Sequence, residues 1–182
     1  MTRTGVLFFG AVLASTTWVM AQDATNPVGS KSDWVIFVEE DPKQCWVVSP
    51  PKETVNTRSG RVVAVNRGDI YLFVSFWPGV GEGSRDGDGG MGEVSFVGGY
   101  EFADNSTVTL EIGTDRFELF TEGTTAWAAS PEDDRKIASA MKRGASAVLT
   151  GLSKRSSTTT KDTFSLIGFT AAYEDAERRC AP

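Results

Sequence analysis

The chain has 182 residues, a formal net charge of −6, two cysteines and no histidine. The absence of histidine excludes Ser-His-Asp and Cys-His nucleophilic sites and His-ligated zinc, copper or iron centres, and a pair of cysteines cannot form a Cys-rich metal site alone. Any catalysis would fall to carboxylates, lysine or tyrosine.

Residues 1–21, MTRTGVLFFGAVLASTTWVMA, have the layout of a cleavable export signal. Arg3 supplies the positive n-region, Val6 to Val19 form a short apolar core, and Val19-Met20-Ala21 is a small-residue cleavage site. The apolar run is too short to span a bilayer comfortably and polar residues follow it, so it targets the chain and does not anchor it. No other stretch is apolar enough for a membrane span, so the mature chain is expected to carry no transmembrane segment. It would begin at Gln22, one unit more negative for the loss of Arg3, and live in an oxidising compartment. There an isolated pair, Cys45 and Cys180, is expected to be a disulfide. Residues 22–33, polar with Pro27 and Gly29, are expected to be a flexible tail, and residues 34–180 a single domain.

From Trp34 onward the pattern is short β runs with turn punctuation. WVIFVE (34–39) and QCWVVS (44–49) flank a turn at Glu40-Asp41-Pro42-Lys43. RVVAV (61–65) and DIYLFVSFW (69–77) flank Asn66-Arg67-Gly68, and GEVSFVGGY (92–100) follows a glycine-rich loop. The clearest hairpin runs from Ser106 to Gly123. Val108, Leu110 and Ile112 alternate with polar residues on one arm, as do Phe117 and Leu119 on the other. Six or seven such strands predict a sandwich.

Helices interrupt this pattern twice. Ser130 is an N-cap, Pro131 fits the first helical position, and Glu132, Asp133 and Asp134 suit the positive end of the helix dipole. Lys142 and Arg143 fall in the last turn, with Gly144 as the C′ residue. The second helix is predicted over 169–180, where Phe169, Ala172, Tyr173, Ala176 and Cys180 form one stripe. That spacing puts Cys180 on the inner face, so a bond to Cys45 would tether the C-terminal helix to an early strand.

The segments WVIFVEEDPKQCWVVSPP, VNTRSGRVVAVNRGDIYLFVSFWPG, GEVSFVGGYEFADNSTVTLEIG, FELFTEGTTAWAASPEDDRKIASAMKRGA and TKDTFSLIGFTAAYEDAERRC resemble, in order, the invasion-associated locus B family of exported proteins of Gram-negative bacteria. The resemblance runs from about Asp33 to Cys180, and its specificity lies in the ordered series. It implies a mainly β, immunoglobulin-like antiparallel β-sandwich, a periplasmic, secreted or outer-surface location, and an association with host-cell invasion in pathogenic members. It brings no catalytic residues, and no cofactor or metal is expected. The stretch 79–92 departs from the family pattern as a loop insertion.

Three local patterns invite a sharper reading. Arg67-Gly68-Asp69 is the tripeptide of integrin ligands, although glycine at a turn between polar flankers explains it more simply. Asp86-Gly87-Asp88-Gly89-Gly90 has the look of a calcium loop but lacks the further ligands one needs, and a plain acidic loop is the better reading. Glu39-Glu40-Asp41 and Glu132-Asp133-Asp134 are carboxylate clusters that a turn and a helix start already explain.

Charge is uneven. Residues 22–134 hold 20 acids and 8 bases, whereas 135–161 hold no acid and seven bases: Arg135, Lys136, Lys142, Arg143, Lys154, Arg155 and Lys161. As a unit these would attract lipopolysaccharide phosphates, anionic lipid or an acidic partner. The preferred alternative is a solvated helix face and loop neutralised by nearby acids. Nucleic acid is excluded by compartment. Of the tryptophans, Trp34 and Trp46 suit the core or its edge; Trp77 and Trp127 could anchor a partner from the rim, with core packing the preferred reading. The expected function is a non-enzymatic envelope protein acting through a protein or envelope surface, linked to invasion or adhesion. Its rivals are a carboxylate-dependent hydrolase of envelope polymers and a purely structural periplasmic protein.

Overall fold

The computed structural model describes residues 27–78 and 92–181. The export signal, residues 22–26 of the expected tail and the glycine-rich stretch 79–91 with its acidic pattern lie outside them. The elements are β1 (Gly29–Lys31), β2 (Trp34–Glu40), β3 (Lys43–Ser49), β4 (Glu53–Arg58), β5 (Arg61–Val62), β6 (Tyr71–Phe76), β7 (Glu93–Val97), β8 (Thr107–Ile112), β9 (Asp115–Glu122), β10 (Thr125–Trp127), α1 (Pro131–Arg143), β11 (Ser146–Leu152), β12 (Thr159–Ser165) and α2 (Phe169–Cys180).

Period-two alternation builds the core. Leu72, Val74 and Phe76 of β6, Val94 and Phe96 of β7, and Val108, Leu110 and Ile112 of β8 are buried, and the residues between them are wetter. Among the described residues the twelve strands pair antiparallel in one ladder of order β1-β2-β3-β6-β7-β10-β9-β8-β11-β12-β4-β5. The ladder curls on itself. β3 and β4 stand far apart in it, yet only Pro50 to Lys52 separate them in the chain. At the closure Lys52 N donates to Thr163 O at 2.7 Å and Trp34 Nε1 to Ser165 O at 3.1 Å. An immunoglobulin-like sandwich is compatible with this curl, while the hydrogen bonding draws one ladder rather than two.

The mainly β fold and both helices form as expected, and several details differ. Gly29–Lys31, placed in a flexible tail by the sequence reading, instead pairs with β2 as an edge strand. The predicted strand 61–65 shrinks to Arg61–Val62, which pairs back on β4. The expected 61–65/69–77 hairpin therefore does not form, and β6 pairs with β3 and β7. The reason is a competing partner: Val63 N bonds Asn56 O and Gly68 N bonds Gly99 O, so the segment crosses the sheet end.

In α1, Ser130 Oγ accepts from Asp133 N at 3.2 Å, completing the N-cap. Gly144 ends the helix with φ −82°, an ordinary conformation rather than the left-handed one expected of a C′ glycine. Packing explains it instead: a Cβ there would lie 2.5 Å from Ile112 Cγ2. Helix α2 lies across β1, β2, β3 and β6 and buries its whole stripe, with Phe169 edge-on to Trp34 at 4.8 Å and Tyr173 edge-on to Phe76 at 4.9 Å. Burial of a large apolar side chain contributes about 1.5–3 kcal/mol, so this stripe, more than helix propensity, holds α2. Cys45 and Cys180 are bonded, their Cα atoms 5.7 Å apart, and both are buried.

Candidate functional site

On β12 the inward positions change character along the strand. Phe164 is core, but Asp162 and Thr160 also point inward and are buried, and Thr158 follows in the preceding turn. Antiparallel register sets Thr54 and Asn56 of β4 beside Asp162 and Thr160. This end of the interior is therefore polar, and every group in it needs a partner.

Arg67 supplies one. Its guanidinium meets Asp162 in a two-pronged pair, Nη1–Oδ1 at 2.8 Å and Nη2–Oδ2 at 2.7 Å. Nε and Nη2 also donate to Gly98 O, and Nη1 to Asn56 Oδ1. Side-chain exposure is 6% for Arg67 and 0% for Asp162. The Tyr100 ring lies 5.0 Å from the guanidinium carbon, and its hydroxyl shares a 2.6 Å hydrogen bond with Thr160 Oγ1. Burial pushes the Tyr100 hydroxyl up to about 12, against the opposing pull of the Thr160 bond and the Arg67 charge. Gly99 sits at φ +73°, with its α-carbon pressed against the Gly68 carbonyl, where a Cβ would lie 2.5 Å from the oxygen. That close approach lets the 63–70 crossing deliver Arg67 into the fold.

Above this floor lies a cavity of about 630 Å³. Its walls include Arg58, Asn66, Tyr100, Glu101, Ser153, Arg155, Ser156, Thr158 and Thr160. Arg58 donates to the neutral Thr158 hydroxyl through Nε at 3.1 Å and Nη2 at 2.9 Å. Ser156 links Ser153 and Thr158 into a chain of hydroxyls. Among the described residues, neither Arg58 nor Arg155 has a carboxylate partner, and Glu101 is the only acid in the lining. The site thus offers guanidinium donors and a row of hydroxyls.

The integrin-type reading of Arg67-Gly68-Asp69 fails here, because Arg67 is buried and all its N–H groups face protein acceptors. The seven basic residues are dispersed. Lys136 pairs with Glu132 at 2.8 Å, Arg143 with Asp115 at 3.7 Å, and Lys154 with Asp104 at 2.8 Å. Arg135, Lys136 and Arg143 share an open depression with Asp115, Phe117, Glu132 and Ser139. Lys142 lies elsewhere on α1, over the Tyr173 ring at 3.8 Å. Lys161 stands on the outer face of β12, between Thr150 and Val55, and Arg155 alone of the seven lines the main cavity.

The Glu132-Asp133-Asp134 cluster has structural duties: Asp134 is buried and accepts from Val94 N at 2.8 Å, and the Glu132 carboxyl is held low by its hydrogen bond from Lys136. Trp34 is core as expected, while Trp46 stacks on Phe37, and Trp127 on Phe120, on the outer sheet face. Trp77 is exposed at 38%.

Sequence reasoning missed the role of Arg67, the pairing with Asp162 and the cavity. One signal was present: the alternation Thr158, Thr160, Asp162, Phe164 puts an acid in register with a core phenylalanine, which demands a buried cation. Its identity was hidden because Arg67 is 95 residues away.

Neither comparison with curated proteins nor comparison with solved structures yields a match. The family model for the invasion associated locus B (IalB) protein matches residues 34–177, from the first core strand into the terminal helix, and the chain belongs to that family.

Proposed function

We propose that this protein is exported to the bacterial envelope and acts there by non-covalent binding to a protein or envelope surface, in a process associated with host-cell invasion. Family membership over residues 34–177 carries the reading. The buried Cys45–Cys180 bond supports export, since such a bond persists in an oxidising compartment. The cavity supports binding over catalysis: Asp162 beneath it is occupied by Arg67, and the lining presents guanidinium donors and hydroxyls with a single acid, Glu101. A hydrolase of envelope polymers would want two convergent acids, and the paired Asp115 and Glu132 of the open depression serve Arg143 and Lys136.

The test is fractionation of the source cells followed by sedimentation of the mature protein with their outer-membrane vesicles. The reading expects the protein in the envelope fraction without titratable thiol, and co-sedimentation that weakens as salt rises. Recovery from the cytoplasm as a free dithiol, or no co-sedimentation even at low ionic strength, would overturn it.

A further inference from the structure

We propose that the cavity bounded by Arg58, Arg155 and Thr158 binds an anionic saccharide, its phosphate or carboxylate held by the two arginines and its hydroxyls by the serine, threonine and tyrosine hydroxyls. This deepens the binding reading above and rests on it. The volume of about 630 Å³ lies in the range of small-molecule sites. Guanidinium groups match carboxylate and phosphate oxygens in a two-pronged geometry, and such charge-assisted bonds exceed neutral ones in strength.

The division of labour among the arginines supports the assignment. Arg67 is spent internally on Asp162, Gly98 and Asn56, so it cannot bind a ligand and acts as a positioning residue. It fixes Tyr100, whose hydroxyl fixes Thr160. Arg58 is oriented by the Thr158 hydroxyl, a neutral partner that leaves its charge uncompensated. Arg155, in the turn between β11 and β12, is exposed and carries no ion pair among the described residues. Other cations at the surface have found acids: Lys52 has Asp33, Lys154 has Asp104, and Arg179 has Asp175. Arg58 and Arg155, neither with an acid partner among the described residues, line the same concavity, among Ser153, Ser156, Thr158, Thr160 and Tyr100. An anion alone would need only the arginines. The row of hydroxyls adds complementarity to a polyhydroxylated ligand.

The test titrates the mature, oxidised protein with glucose 6-phosphate, glucuronate, inorganic phosphate and glucose, followed by amide NMR shifts. At least one of the anionic sugars should bind saturably, more tightly than phosphate or glucose, with shifts centred on Ser153 to Thr160. Arg58→Gln and Arg155→Gln should each weaken that binding by about tenfold or more, as loss of a charge-assisted bond implies, with amide shifts away from the cavity unchanged. Arg116→Gln, outside the cavity, should leave it unaltered. Absence of saturable binding by both anionic sugars, or binding indifferent to the Arg58 and Arg155 variants, overturns the proposal. Equal affinity for phosphate and for glucose 6-phosphate, with no binding of glucuronate, overturns the saccharide assignment. Vesicle sedimentation that persists in the Arg58→Gln, Arg155→Gln double variant would sink this site while leaving the envelope-binding reading intact.

Discussion

At the scale of single residues, the Arg67–Asp162 pair organises the polar end of the interior. Its charges are out of water, so desolvation offsets much of their attraction, and the pair adds little net stability over an apolar substitute. Breaking it is another matter. Asp162→Asn leaves a buried guanidinium uncompensated and should cost about 3–5 kcal/mol, measured by denaturant unfolding. A loss under about 1 kcal/mol, the range of exposed pairs, would contradict the burial described here. Tyr100 adds a pH dependence. Its folded value is raised from 10.0 to about 12, so the folded state holds the phenolic proton more tightly than the unfolded chain. The resulting stability is fully present below pH 10 and is lost as pH rises towards 12. Urea unfolding across that window should fall more steeply for the native protein than for Tyr100→Phe; equal slopes would mean the hydroxyl is solvated.

At the scale of elements, the helices show two kinds of terminus. The start of α1 is a local matter: Ser130 caps Asp133 N, and Ser130→Ala should cost about 1 kcal/mol by chemical denaturation. Its end is a packing matter. Gly144 has a backbone conformation open to alanine, so Gly144→Ala meets no torsional penalty; the new methyl collides with Ile112 Cγ2 and Leu166 Cδ1. The cost should be about 1–3 kcal/mol, typical of overpacking, and Ile112→Ala in the same chain should recover part of it. Strict additivity in that cycle would show that the collision is not the cause. The segment 63–70 behaves likewise. Its residues alternate as a strand would, yet most of its edge pairs with no strand, because Gly68 is drawn to Gly99 and Arg67 to Asp162.

At the scale of the whole molecule, closure is the central fact. The curled ladder brings β12 beside the start of β2, and α2 covers the inner strands with Cys180 bonded across to Cys45. The bond joins residues 135 apart, so it restricts the unfolded chain severely. The loop-entropy estimate for a 100-residue loop is about 4.7 kcal/mol, an upper figure here because the reduced chain retains structure. Reduction, or Cys45→Ser with Cys180→Ser, should lower the melting temperature markedly while the far-ultraviolet β signature survives at low temperature. A melting temperature insensitive to reductant would mean that packing of the Phe169-to-Cys180 stripe alone secures the helix.

Much of this was legible from the chain itself, wherever the determining interaction is short in range or imposed by periodicity. The alternation at Val108 to Ile112 specified a one-sided strand, Ser130-Pro131 specified a helix start, the stripe from Phe169 to Cys180 specified the terminal helix, and an isolated cysteine pair behind an export signal specified the bond it carries. Ordered similarity along the chain pointed to the family that the match over residues 34–177 then showed. Tertiary structure alone decided the rest. The pairing of β4 with β12, the inward course of Arg67, and the meeting of Arg58, Arg155 and Tyr100 around one cavity join residues far apart in sequence. No local pattern encodes which strands a curled sheet brings together. A buried acid announces only that a cation must come, and the closure of the sheet determines which one arrives.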